Sequence, residues 1–437
     1  MKKTKFLLFS WSSSSKRNNS IEQQRRRSSN ELTTLTTTGC SFYKLPTEIL
    51  IRILHHLNTA ANVLQVAQTS RCFYNICYDH HLWHRLFSKQ YYPLLTPPSE
   101  QCFNLYKDHV ELDKRWARGD AHVFYMNNED EHDDSVYATA WINSQTIASV
   151  SRDRSIKIWD IETRNCLFTR KDAHQGSILC LTLMQPRQEE DIEEEKKNEL
   201  YAVTGSSDSR CIVWSLPNWN QVRQFSAHTH SVLSVLAIND AMVATASRDT
   251  TIQIWRITDG KVCHVLRGHT EAVNAVKRLD NQRIVSASGD GTVKIWCIKT
   301  GVCLETLTSD IGGLSCMQVI NNRTIWAGGL SSHIQIWEST ATNVSVWKTA
   351  TVMNSGHTNL LRAIDSLKGK VITAGYDKVI KVWDSETGKC LLNFQSGHTS
   401  KIFSVLLGRT NIISAGHDKR IMVLDFAHQL SKELARR

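Results

Sequence analysis

At 437 residues the chain has room for two or three domains, and its 41% hydrophobic and 22% charged residues are those of a globular protein. Collagen-like, coiled-coil and wholly disordered chains carry biases that are missing here, and no apolar run approaches the roughly 18 to 20 residues of a membrane-spanning helix, so a soluble protein is expected. The formal charge of +10 is concentrated at one end.

Residues 1–40 carry Lys2, Lys3, Lys5, Lys16, Arg17, Arg25, Arg26 and Arg27 against Glu22 and Glu31 only, amid Ser, Thr and Asn. With almost no periodic apolar positions, the stretch cannot offset its chain entropy and reads as a disordered basic leader. Arg25-Arg26-Arg27-Ser28 has the form of a nuclear-import patch or a phosphorylation site, and a basic, Ser-rich leader also describes a transit peptide; composition does not choose. The remainder is nearly balanced in charge, so no basic footprint on a folded face is expected, and neither nucleic acid nor membrane is an expected partner. The 12 Cys include no CxxC pair and read as reduced thiols. Cys72, Cys77, His80 and His81 lack the paired spacing of structural zinc, and no metal or cofactor is expected.

From Leu45 to Phe87 apolar residues recur at helical intervals: Leu45, Ile49, Ile53 and Leu57, then Val63, Val66 and Ala67, then Phe73 and Ile76, then Leu82, Trp83 and Leu86. Pro46 suits a first helical turn, and Asn58 to Asn62 interrupts the pattern. Three short helices are predicted, too small to bury all of these side chains alone, so a partner helix is implied. The segments LPTEILIRIL, VLQVAQTSRCFYNIC and LWHRLF resemble the F-box. That resemblance implies binding to the Skp adaptor of cullin ubiquitin ligases through Leu45, Pro46, Ile49, Leu50 and Ile53, with Trp83 plugging the module's own core. Tyr91 to Ser99, with three Pro, reads as a linker, and Phe103 to Arg118 as a further helix stopped by Gly119.

Beyond it the sequence repeats itself. Trp159, Trp214, Trp255, Trp296, Trp337, Trp383 and Leu424 recur at intervals of 55, 41, 41, 41, 46 and 41 residues, which is a propeller-blade period repeated in seven units. Apolar residues stand one and three positions before each landmark, the alternation of a strand. Six positions before stands Asp153, Asp208, Asp249, Asp290, Asp377 or Asp418, with Ser331 once. About 27 before, His132, His228, His269, His357 and His398 recur, with His174 farther from Trp214 and Asp310 in the fifth unit. This pattern resembles the WD-repeat family, whose Trp, hydroxyl, His and Asp form a hydrogen-bonded tetrad. The resemblance implies four complete tetrads, with Ser151, Ser206, Ser247 and Ser288 as hydroxyls and Gly329, Gly375 and Gly416 replacing them in the last three units. It also implies that the segment from Ala121 to Met126 completes the last blade. The stretch RWARG resembles the connector of F-box/WD-repeat proteins, with Trp116 as an anchor on the propeller.

The expected fold is therefore an all-β seven-bladed WD-repeat propeller behind a small all-α F-box module and a connecting helix. The boundaries are 1–40 leader, 43–90 F-box, 91–119 linker and connector, 120–430 propeller and 431–437 tail. The 187–199 run RQEEDIEEEKKNE, from Arg187, reads as a solvated acidic loop, and the fifth blade, with Trp347 in a longer outer region and no His, is expected to be the least stable.

Residues just before each Asp and five after each His should ring one mouth of the channel. They are Arg152, Ser207, Arg248, Gly289, Leu330, Tyr376 and His417, with Tyr137, Leu179, Leu233, Asn274, Ser315, Arg362 and Phe403. Arg152, Arg248, Arg362, Tyr137, Tyr376, Phe403 and His417 are the candidate target-binding residues, for a guanidinium fork suits phosphate and aromatic rings anchor interfaces. The same arginines also read as solvated charges or partners of nearby Asp. No catalytic signature is present. The expected function is a non-catalytic substrate receptor of an SCF-type ubiquitin ligase, cytoplasmic or nuclear. It would hold adaptor and cullin core at one end and a target segment, acidic or phosphorylated, at the other; the alternative is a WD-repeat scaffold without a ligase role.

Overall fold

The computed structural model describes residues 45–57, 59–91, 102–184, 200–226, 228–339 and 347–435. The expected leader, the acidic 187–199 run and all but the first residue of the 91–99 linker lie outside the described residues. The chain divides into two units, Met1–Glu100 and Gln101–Arg437.

The first unit holds four helices: α1 (Thr47–Leu54), α2 (Ala60–Ala67), α3 (Arg71–Cys77) and α4 (His80–Tyr91). Where three were predicted, the last segment breaks at Tyr78 and Asp79, and the Asp79 carboxylate accepts the backbone N–H groups of His81 and Leu82 at the next helix start. Thr59 and Ser70 cap α2 and α3 in the same manner, each accepting the N–H three residues on. Pro46 sits just before α1, its fixed φ and missing N–H suiting the helix entrance. Leu50, Leu54, Val63, Ala67, Ile76 and Leu82 are buried around Trp83, whose indole N–H donates to the Cys77 carbonyl at 2.7 Å.

The second unit opens with α5 (Cys102–Arg118), ended by Gly119 at φ +72°, a left-handed conformation that glycine adopts without strain. Then come seven four-stranded antiparallel sheets. Each has its strands in chain order except the last, whose outer strand is His122–Tyr125, paired with Ile421–Asp425. The ring is thus closed by a segment from before the first blade, as the sequence implied. The first strands of successive sheets lie against one another in a closed circuit and line the channel. Between neighbouring sheets, buried Val, Ile, Leu and Trp side chains form one cluster after another, because a blade can bury its faces only against the next blade.

Candidate functional site

The geometry of the propeller mouth begins with its struts. In blade 1 the Trp159 indole donates to Ser149 Oγ at 2.8 Å, Ser149 Oγ lies 2.7 Å from His132 Nε2, and His132 Nδ1 lies 2.8 Å from Asp153. The same chain of four recurs through Thr204, Thr245, Ser286 and Thr373 in blades 2, 3, 4 and 6. Blade 7 keeps His398, Ser414 and Asp418 but has Leu424 for the indole.

The hydroxyls assigned from sequence were therefore two residues too late. Ser151, Ser247 and Ser288 instead donate to the carbonyls of Asp134, His230 and Glu271, and Ser206 accepts the Asp208 N–H. On a strand two residues preserve the face, so both positions alternate correctly, but only the earlier one is reached by the Trp indole N–H. Gly329, Gly375 and Gly416 do not replace the tetrad hydroxyl; the tetrad position there is Ala327, Thr373 and Ser414. They admit backbone instead, for a Cβ at Gly375 would meet the Leu360 carbonyl oxygen at 2.3 Å.

Blade 5 fills its gap with a residue the sequence reading missed. Gln335 Oε1 accepts the Asp310 N–H at 2.7 Å and its Nε2 donates to Asp310 Oδ2 at 3.1 Å. The amide is fully buried two residues before Trp337, at a position the alternation leaves free to vary, so nothing in the sequence marks it.

Burial lowers the pKa of His132 and His269 despite their Asp partners, so the rings are held neutral. Burial would raise the Asp carboxyls, but hydrogen bonds from His and the turn outweigh it, leaving Asp208 and Asp290 at about 2. These groups brace loops and are consumed by internal partners.

Each first strand carries a β-bulge at its second residue, and the seven bulged residues are Tyr137, Leu179, Leu233, Asn274, Ser315, Arg362 and Phe403. A bulge re-aims its side chain, which puts these residues around the mouth. Two residues earlier, the same strand accepts the backbone N–H of the turn residue beside it: Ser135 from Arg152, Ser231 from Arg248, Leu360 from Tyr376 and Lys401 from His417. Turn and bulge are thereby held side by side in each of these blades.

The candidate target residues divide. Tyr137 and Phe403 rings lie 5.0 Å apart, Tyr376 lies 5.8 Å edge-on to Phe403, and His417 stacks on Phe403 at 6.1 Å. Lys401 Nζ stands 4.5 Å from the Tyr376 ring. The charges of Arg152 and Arg362 both reach Tyr137. Arg152 pairs with Asp134 at 3.7 Å, while exposed Arg248 stands on blade 3, outside this group.

In the first unit Ile49 and Ile53 fall four residues apart on α1 and are 40% and 41% exposed, with Leu45, 39% exposed, and exposed Pro46 just before the helix. Leu50 is 3% exposed. It points into the module's own core, one helical step off the open stripe, and so is set apart from the four residues grouped with it by sequence.

Two family descriptions match: F-box-like over residues 42–89, and WD domain, G-beta repeat, over 126–160, 219–256 and 260–297. The chain is 32% identical over 93 residues to coatomer subunit beta'-2 of Arabidopsis thaliana, covering 21% of this chain and 9% of that protein. It is 29% identical over 97 residues to Protein MAK11 of Saccharomyces cerevisiae, covering 22% and 23%. These matches span less than a quarter of either relative's length. Among solved structures, the WD40 β-propeller domain of Doa1 superposes with a TM-score of 0.57 at 18% identity over 72% of this chain and 99% of that one, a likeness of fold. A helical F-box-like module followed by a seven-bladed WD-repeat propeller defines a class of two-module interaction proteins. The chain is an F-box/WD-repeat protein.

Proposed function

We propose that this protein is a substrate-recognition subunit of an SCF-type ubiquitin ligase, working in the cytoplasm or nucleus. The observation that carries this reading is the open stripe of Leu45, Ile49 and Ile53 within the F-box-like module. Fully burying an exposed side chain of this kind is worth about 1.5–3 kcal/mol, and the part still open on each of the three, beside Pro46, would be covered on docking the Skp adaptor and, through it, the cullin core. The propeller mouth, with Tyr137, Tyr376, Phe403, His417, Arg152 and Arg362, would hold a target segment. Binding both at once raises the effective concentration of target lysines near charged ubiquitin, and the bond-forming chemistry belongs to the conjugating enzyme.

Affinity purification of the wild type against Leu45→Ala/Pro46→Ala tests this. Adaptor and cullin should be recovered with the first and lost with the second, while propeller-bound proteins stay. Failure to recover the adaptor with the wild type would leave a WD-repeat scaffold.

A further inference from the structure

This inference rests on the mouth being the client site and concerns what a client offers it. Taken blade by blade, the bulged residues fall into three arcs. Phe403, Tyr137, Leu179 and Leu233, from blades 7, 1, 2 and 3, are part-buried and aromatic or aliphatic. Asn274 and Ser315, from blades 4 and 5, are polar but committed between blades: the Asn274 amide donates to the Leu314 carbonyl at 2.7 Å, and the Ser315 hydroxyl donates to the carbonyl of Leu361. Arg362 of blade 6 is the one charged member, standing between Ser315 and Phe403.

Arg362 is part-buried, and its charge acts on Tyr137, Cys180 and Cys316, which belong to three other blades. Its bulge lies on the channel-lining strand Leu361–Leu367, which puts the residue at the mouth. Among the described residues no carboxylate forms an ion pair with it.

We propose that the mouth takes an unphosphorylated segment that lays an apolar side chain on the arc from Phe403 to Leu233 and gives the single carboxylate of a neighbouring Asp or Glu to Arg362. One guanidinium fork matches one carboxylate bidentately. A phosphate carries close to two charges at neutral pH and is best met by a cluster of cations. The other cations of the mouth are already engaged or distant: Arg152 pairs with Asp134 at 3.7 Å, Lys401 lies on the Tyr376 ring at 4.5 Å, and Arg248 stands on blade 3.

The test is to select phage-displayed random peptides, held between Gly/Ser flanks so that neither terminus is free, on the full-length chain. Selected sequences should place an apolar residue within a residue or two of Asp or Glu. A synthetic peptide of the selected sequence should lose about tenfold in affinity when its acid becomes Gln, and again when the protein carries Arg362→Gln, and a phosphoserine in place of the acid should bind no more tightly. Phe403→Leu should relax the choice of apolar residue, giving a second reading should Arg362→Gln fail to fold. Arg256→Gln, at the exposed end of the strand Ile252–Arg256 and outside the mouth, should bind as the wild type does. Selection of nothing, selection without acids, equal binding by Arg362→Gln, a tighter phosphoserine peptide, or binding only of peptides with a free C-terminus would each overturn the proposal. Adaptor recovery reads the ligase assignment independently, so either can fail while the other stands.

Discussion

The Trp116 indole lies flat on the Phe426 ring, with centroids 3.7 Å apart and planes inclined by 13°. One comes from the last turn of α5, the other directly follows the final strand of the ring. The indole N–H donates to the Arg409 carbonyl at 3.2 Å, Arg115 donates to the carbonyls of Phe426 and His428, and Asp108 accepts the Ser431 N–H. The connector helix is thus bolted to the propeller by stacking and by backbone acceptors together.

Trp116→Ala should remove that stack and leave a cavity beside fully buried Phe426, at a cost of about 3–5 kcal/mol, read as a lower unfolding midpoint in denaturant. Trp116→Phe should recover most of the loss, since it keeps the ring face and gives up one hydrogen bond.

The tetrad assignment separates two serines of one strand. Ser149→Ala should cost about 2–3 kcal/mol, because it strands a buried indole N–H and a buried imidazole nitrogen at once. Ser151→Ala, which loses one bond to the Asp134 carbonyl and one from Asp153, should cost about 1 kcal/mol. Equal effects in paired thermal melts would contradict the assignment.

Blade 5 should open first. It lacks both the His and the hydroxyl, and its Gln335–Asp310 pair makes fewer connections than a tetrad. In hydrogen exchange the strand Thr324–Gly329 should exchange before its counterpart Arg283–Ser288 in blade 4. Gln335→Ala should widen that difference.

Stability should fall with acid over a defined window. Burial on the inner face of α5, then the charges of Arg409 and Lys368, hold His109 at about 4, well below the free value of 6.5. A depressed histidine favours the folded state above its unfolded pKa, so its contribution is complete above pH 6.5 and is lost as the pH falls toward 4. The Asp carboxyls act lower, their contribution being present above the unfolded value of 3.8 and lost toward 2 at Asp208 and Asp290. His109→Gln should make the upper part of the pH–stability curve less steep, with lowered His132 and His269 still acting there, and leave the lower part unchanged.

Much of this was legible in the residues because the repeat enforces itself: the period-two alternation and the Asp turns place every blade. The positions counted five after each His, and after Asp310 in the fifth unit, coincide with the seven bulges. What escaped has physical reasons. Ser149 and Ser151 share a strand face, so alternation cannot separate them, and only the reach of the Trp159 indole does. Gln335 pairs with Asp310, which stands where the other blades have their histidine, a pairing visible only in three dimensions. Leu50 is one position from Ile49, and the rotation of about 100° between them separates core from open surface.

The velcro strand His122–Tyr125 is made some three hundred residues before the partner it needs at Ile421–Asp425. During synthesis the F-box-like helices leave the ribosome early, whereas the disc cannot latch until Ile421–Asp425 has been made. A message cut short before Ile421 would therefore yield a product whose helical module is complete and whose ring gapes.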